Sequence, residues 1–433
     1  MYKLDDSRSN IISTIITCCL LFICIGCSNS SIIEDKNGVK RIGDEPEKRV
    51  VIWHTYSDEE TIIFEKEVIP AFEAAYPDIK IESIRQNHNQ EYHAALIARA
   101  TAGKSPDIIR MDYTWIPLFV ERSLLQPLND FPDFNNVSNN LQEHMVEKNT
   151  YDGKTFGLPL NISTKAAIYN KTLLEKTGVS QPPETFAELV ELAQSKGYII
   201  GMSGTELWNS LPYFMALGGT IANSSFTQAT GFFDSRESAD AIKQLLELHQ
   251  QGVINPYMLK GSIDLWKEVF SQGKVIMIDD GPWYYSILLN SSNVDVDLLE
   301  RTVPTPFPSK AGSIIGGESL VMTKYASNKD EAWTFMSWMT TQQTQMNLFK
   351  AGLIPSNVEA LEAGRTQEGI VNRYLSTYIE AIDQAFYRPS IPQWTEIESI
   401  YNDAFSDIFI GGHNIEQTLK SAAERIDVLL AKE

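Results

Sequence analysis

The sequence predicts an α/β protein whose sheets are mostly parallel and flanked by helices. Three observations carry this expectation. Residues 50–84 read as strand, helix, strand. VVIW (50–53) is apolar, Phe64, Val68, Phe72 and Ala75 form one helical stripe, and Ile79 and Ile81 alternate in the next strand. Two strands joined through a helix form a βαβ unit, which pairs them in parallel. PDIIRM (106–111) adds a third strand after a helix over Glu91 to Ala102. Further on, GKVIMIDDGPWYY (273–285) holds four apolar residues, Val275 to Ile278, between a glycine turn and the stop Asp279-Asp280-Gly281-Pro282. That pattern suits a strand buried on both faces. The 433 residues are enough for two domains with full cores.

The chain begins with an apolar run of residues 11–26 behind Lys3 and Arg8, ending at Gly26-Cys27. The run is too short for a membrane span and has the shape of a secretory signal. Gly26-Cys27 resembles a bacterial lipobox, so residues 1–26 are expected to be removed and Cys27 lipidated. Cys24 stands where that box usually has Leu, and Asp5 and Asp6 offset the positive start. The other reading is an uncleaved anchor. Either way the body lies outside the cytoplasmic membrane. All four cysteines fall within the first 27 residues, which leaves the body without a disulfide framework or cysteine chemistry. Residues 27–49 are polar and aperiodic and read as a flexible tether.

The remaining elements follow in order. Pro70 must kink or restart the first helix. ARATAGKS (98–105) imitates a phosphate-binding loop, but Ala98 replaces its first Gly and Pro106 follows at once. Leucines around Pro127 suggest a packed turn, and Asp152-Gly153 the tight turn of a hairpin. Residues 158–164 are extended, and 165–178 begin as a strand and end as a short helix at Gly178. PPETFAELVELAQSKG (182–197) is a helix with Glu184 in its first turn and a stop at Gly197. Residues 198–208 are read as a strand and a loop bearing Glu206 and Trp208. Helices are expected over 236–251, 266–272, 331–341 and 414–431.

The net charge of −20 argues against a nucleic-acid partner and a strongly anionic ligand, since neither finds a basic surface. A neutral ligand fits better. Trp283, behind the strand at 275–278, offers a flat apolar face and one N–H donor, which match the C–H face and hydroxyls of a sugar. A local aromatic core is the plainer reading of Trp283, Tyr284 and Tyr285. No HExxH or GxSxG motif is present. A glycosidase would need two carboxylates flanking the scissile bond, with Asp279 and Asp280 or Asp58 and Asp112 as candidates. The expectation is a protein that is not an enzyme and needs no cofactor or metal.

Seven stretches in order resemble one family: YPDIKIE (76–82), GKSPDIIRMDYTWIPLFVERSLLQPL (103–128, with Ser123 where Gly is usual), YDGKTFGLPL with AAIYNKTLLEKTG and PPETFAEL, FSQGKVIMIDDGPW, GGESLVMTKYASNKDEAWTFMSWM, GLIPSN and RPSIPQW. The chain is similar to family 1 extracellular solute-binding proteins, the sugar-binding components of ABC importers, of the maltose-binding type. The resemblance implies a two-lobed periplasmic-binding-protein-like fold of class II type, with three crossovers between lobes. One lobe is expected from 50–161 plus 318–360 and the other from 162–317 plus 361–433. It implies a monomer that holds a neutral di- or oligosaccharide between closing lobes and passes it to a membrane permease. A non-sugar solute such as a polyol phosphate, or a sensory role, is the alternative on the same fold.

The resemblance also carries site residues. Trp283 is where the family stacks a sugar ring, with Tyr284 beside it. Glu206 and Trp208 stand for a carboxylate and an aromatic of the same lobe. Thr55, Tyr56, Ser57 and Asp58 follow the first strand, and Asp112, Tyr113 and Trp115 follow the third. Asn161 and Ser163 lie at one crossover, Gly316, Gly317 and Glu318 at another. Arg388 and Trp394 would close the site. Asp58 has the plainer reading of a helix cap and Trp394 that of core.

Overall fold

The computed structural model describes residues 48–87, 90–179, 181–255, 265–269, 271, 273–290, 298–366 and 370–431. The expected signal, Cys27 and the tether up to residue 47 lie outside the described residues, as does the end of the helix expected at 266–272; Lys48 and Arg49, read as the end of the tether, instead begin the first strand.

The chain builds two main sheets. Strands β1 (Lys48–His54), β2 (Ile79–Arg85) and β3 (Ile108–Asp112) form the parallel trio read from the sequence. After the hairpin β4 (Thr150–Tyr151) and β5 (Lys154–Thr155), strand β6 (Gly157–Thr164) joins the same sheet. The chain then leaves it. Strands β7 (Ala166–Asn170), β8 (Ile199–Gly201), β9 (Val275–Asp280) and β10 (Thr302–Thr305) form a second sheet in the order β10-β7-β9-β8. It returns as β11 (Ile314–Met322), with the short β12 (Ile354–Pro355) and β13 (Phe386–Tyr387). The first sheet therefore runs β12-β6-β11-β3-β1-β2, with β13 on β11.

The sheets are mixed, a refinement of the mostly parallel expectation. β11 is antiparallel to both β3 and β6, and β7 to both β9 and β10. The reason is connectivity: a strand that re-enters from the other sheet is free to insert in either direction. The sheets change hands at Lys165 and between Thr305 and Ile314. The expected lobe limits at 161/162 and 317/318 thus cut through β6 and β11.

Local chemistry explains most helix ends. Ser57 and Glu60 form a reciprocal capping box at the helix Asp58–Ile63, and Thr185 and Glu188 another at Phe186–Lys196. The second helix therefore starts after Glu184, behind Pro182-Pro183. Pro70 does not break the first helix. A π-helical turn, Phe64–Val68, precedes Ile69–Ala75 and absorbs the missing donor. The helix Gln90–Thr101 ends before Gly103, so residues 98–105 form no strand-to-helix phosphate loop. Ser123 adopts φ 53° at the position where the family usually has Gly. Asp152 and Gly153 take φ 54° and 73°, the backbone of a type I′ hairpin turn.

One core lies beneath the first sheet. Val50, Ile52, Phe64, Phe72 and Leu158 meet Trp333, Met336 and Met339 of the helix Lys329–Met339. Another surrounds the second sheet, where Leu419, Ala422 and Ile426 of Ile415–Leu430 pack with Trp394, Tyr401 and Phe405. A third contains Tyr113, Ile162, Ile168, Ile278, Tyr284, Tyr285 and Tyr378, drawn from strands and helices of both sheets.

Candidate functional site

Neighbouring strands β3, β11 and β6 of the first sheet place one polar group. Arg110, in the middle of β3, is buried. Its Nη1 donates to Thr55 Oγ1 at 3.2 Å and its Nη2 to Asn161 Oδ1 at 3.0 Å and Glu318 Oε2 at 2.9 Å. Asn161 Nδ2 also donates to Glu318 Oε2, at 2.7 Å. The guanidinium lies 4.3 Å from the centre of the fully buried Tyr56 ring. Glu318 stands where the β11–β6 register shifts, next to Gly317 at φ 152°. A Cβ on Gly317 would lie 2.6 Å from the Asn161 carbonyl oxygen, so only glycine lets the strands approach this closely.

Asp112, opposite Glu318 across the strands, ends β3. Its Oδ1 accepts from the Thr114 backbone N–H (2.9 Å) and hydroxyl (2.7 Å), and its Oδ2 from Arg388 Nη2 at 2.6 Å. Burial works against the charge, but Arg388 and the Thr114 donors outweigh it and hold Asp112 below the usual carboxylate range. Arg388 Nε donates to the Ile315 carbonyl at 3.0 Å, and its guanidinium lies 5.3 Å from the Tyr113 ring centre and 5.6 Å from that of Trp208.

The second sheet contributes aromatic faces. Trp208 is in the helix Leu207–Ala216 and Trp283 in Trp283–Asn290. Both therefore sit in first turns of helices and not in the loops expected, because Pro282 starts the second helix and Glu206 occupies the cap position of the first. The two half-buried indoles are 6.2 Å apart, tilted by 33°. Gly316 leaves room for Trp208: a Cβ there would meet Ser163 Oγ at 2.7 Å and the indole edge at 3.0 Å. Lys165, at the crossing between β6 and β7, is buried against Asp279 and lies 5.8 Å from the Trp208 ring centre. Asp279 also accepts from Tyr213 Oη at 2.6 Å. Burial pushes neighbouring Asp280 up to about 6, although it accepts from the Gly281 N–H and the Trp266 indole.

The structure thus brings together Asp112, Asn161, Ser163, Trp208, Trp283, Gly316, Gly317, Glu318 and Arg388, with Tyr56 and Tyr113 as buried rings beneath the two arginines. Other expected residues are placed elsewhere. Tyr284 is fully buried and donates to the Trp266 carbonyl at 3.1 Å, so it offers a ligand no face. Trp394 is fully buried in the second core against Phe226. Trp115 packs against His93, with ring centres 4.7 Å apart. Ser57 is spent on its capping box, and Asp58 is exposed beside Arg85. Glu206 differs from these: it holds the cap position of the helix that carries Trp208, is exposed, and accepts from Asn209 Nδ2 at 3.0 Å. Arg110, Lys165 and Asp279 were not among the expected ligand residues. A charged residue inside an otherwise apolar strand, as in PDIIRM, or between two apolar runs, as at Lys165, is the signal that marks them.

The chain is 26% identical over 403 residues to a maltotriose-binding protein of Pyrococcus abyssi, covering 87% of this chain and 82% of that one. It is 23% identical over 421 residues to an sn-glycerol-3-phosphate-binding periplasmic protein of Yersinia enterocolitica, with 88% and 92% covered. The fold matches the GacH receptor of Streptomyces glaucescens, a structure solved unliganded and with acarbose, at a TM-score of 0.76 and 21% identity over 90% of this chain and all of that one. A family model matches residues 67–370, and the chain belongs to the bacterial extracellular solute-binding proteins.

Proposed function

We propose that this protein captures a neutral carbohydrate, of di- or oligosaccharide size, in a cleft between two lobes and delivers it to an ABC-type permease. One observation carries the choice of ligand. The buried Lys and Arg side chains among the described residues are Arg110, Lys165 and Arg388, and each is matched by one carboxylate, Glu318, Asp279 and Asp112. No cation of that set is left over for a phosphate, while Trp208 and Trp283 present apolar faces suited to sugar rings. The maltotriose-binding relative supports the same reading, and a polyol phosphate fits the paired charges poorly.

In this reading the first lobe supplies hydroxyl acceptors and the second supplies stacking surfaces. Only a closed form contacts the ligand with both, so binding shifts the lobes toward closure. We keep the expected lobes, 50–161 plus 318–360 and 162–317 plus 361–433, but move their limits to the sheet crossings at Lys165 and between Thr305 and Ile314. Lipidated Cys27 would hold a monomer on the outer face of the membrane, which mass spectrometry of the mature N-terminus tests. Calorimetric titration with the maltose series and with glycerol 3-phosphate tests the ligand. Saturable binding of an oligosaccharide that is recovered intact is the expected result. Binding of glycerol 3-phosphate alone, or recovery of a cleaved sugar, would overturn the assignment.

A further inference from the structure

We propose that Arg110 is a positioning residue that sets the charge selectivity of the cleft without touching the solute: by neutralising and aiming Glu318 it restricts the site to uncharged sugars and excludes amino sugars. This inference rests on the carbohydrate reading above. Arg110 is a poor candidate for a ligand contact, because its side chain is only 3% exposed. Glu318 is the accessible member of the pair, with a side chain 20% exposed. The register shift at Glu318 and the close approach at Gly317 turn the carboxylate toward Arg110, the kind of re-aiming that a strand irregularity provides. Oε2 accepts from both Arg110 and Asn161. Oε1 is the oxygen left to take a proton donor from the cleft.

Three further contacts hold the guanidinium still: Thr55 at one nitrogen, Asn161 at the other and the Tyr56 ring below. A solute therefore meets a carboxylate whose charge is already balanced at 2.9 Å. A sugar hydroxyl still gains a charge-assisted hydrogen bond. An ammonium gains less than it would from a lone carboxylate, since the Arg110 charge on the far side of Glu318 opposes it. Selectivity of this kind comes from a repulsive element as much as from an attractive one. Asp112 and Asp279 are balanced by Arg388 and Lys165, and burial pushes Glu60, the other carboxylate near Arg110, up toward its neutral form, so none of them replaces Glu318 as a lone anion.

The test uses the full chain and two probes, maltotriose and a glucosamine trimer whose amines are charged at the working pH. Arg110→Met is expected to reverse the preference, raising affinity for the glucosamine trimer relative to maltotriose by about tenfold or more. Arg110→Lys keeps the wild-type preference, and Glu318→Gln in the Arg110→Met background restores it. A purely structural arginine predicts equal loss for both probes. An affinity ratio unchanged within about twofold in a cooperatively unfolding Arg110→Met protein overturns the proposal. Should that variant fail to fold, Glu318→Gln alone leaves Arg110 unmatched and is expected to admit a uronic-acid oligosaccharide that the wild type rejects. No gain for the uronic acid then overturns the proposal. If the wild type binds no neutral oligosaccharide, the carbohydrate reading fails by itself. The glucosamine arm still decides the role of Arg110: a gain in Arg110→Met upholds charge selection, and no gain ends it.

Discussion

The two sheets meet the candidate cleft with different materials. The first presents side chains from its strands, Asp112 at the end of β3 and Asn161 and Glu318 within β6 and β11, each tied by hydrogen bonds to a buried arginine or to its neighbours. The second presents indole faces from the first turns of two helices, backed by the buried pair Lys165–Asp279. Acceptors on strands are fixed by the sheet register and suit directional contacts. Rings on helix starts are fixed by packing and suit contacts that tolerate sliding along a sugar chain. On the proposed carbohydrate reading, the polar wall would set which hydroxyls are recognised and the aromatic wall how much apolar sugar face is covered.

The comparison is most severely tested by breaking the support of the aromatic wall. Asp279→Ala leaves Lys165 as an unpaired buried cation and removes the acceptor of Tyr213, so a loss of about 3–5 kcal/mol in denaturant unfolding is expected. A loss below about 1 kcal/mol would show that the pair is not buried as described. Next comes the wall itself. Trp283→Ala is expected to weaken oligosaccharide binding by about 2 kcal/mol, while stability changes by less than half of that, since the ring is half-buried. Equal losses of stability and affinity would make Trp283 a core residue.

On the polar side, Gly317→Ala meets both a positive φ and a backbone oxygen at 2.6 Å, and a cost of about 2 kcal/mol is expected. Titrating both walls gives the smallest effect and opposite signs. Asp280 has a folded value raised to about 6 by burial, so the protonated form stabilises the fold below its ordinary value, and that contribution is lost as pH rises through about 6. Asp112 is depressed, so its contribution is present above the ordinary value and is lost only as pH falls further. Asp280→Asn is therefore expected to flatten the stability profile between about pH 4 and 6 by about 1–2 kcal/mol, leaving the acid limb from Asp112 in place. A wild-type profile that is flat across that interval would remove Asp280 from the account.

Much of the fold was legible because its signals are local. The parallel trio follows from apolar runs separated by one helix, the hairpin from Asp152-Gly153, and Val275 to Ile278 from an apolar run between turn signals. Trp208 and Trp283 were legible as residue types and as motif positions. Their place in helix starts was not, because a helix of eight or ten residues that is apolar on most sides carries little periodicity. The ion pairs were illegible for a different reason. Arg110 and Glu318 are 208 positions apart and Arg388 and Asp112 are 276 apart, so no spacing rule connects them. Tyr284 and Trp394 show the converse. Their aromatic character made them candidates, and only tertiary packing assigns them to cores.

The position of β11 has a consequence for the order in which the molecule can be made. This strand lies between β3 and β6, in the interior of the first sheet, yet it begins at Ile314. A growing chain that has reached only residue 313 holds β2, β1 and β3 on one side of an empty slot and β6 on the other. Until β11 emerges, β3 and β6 lack the partner that joins them, and Arg110 lacks its carboxylate. Completion of the sheet thus waits on contacts of long sequence separation, which are slow to form. A chain that stays incomplete until late in its synthesis remains threadable, a property suited to a member of an extracellular family.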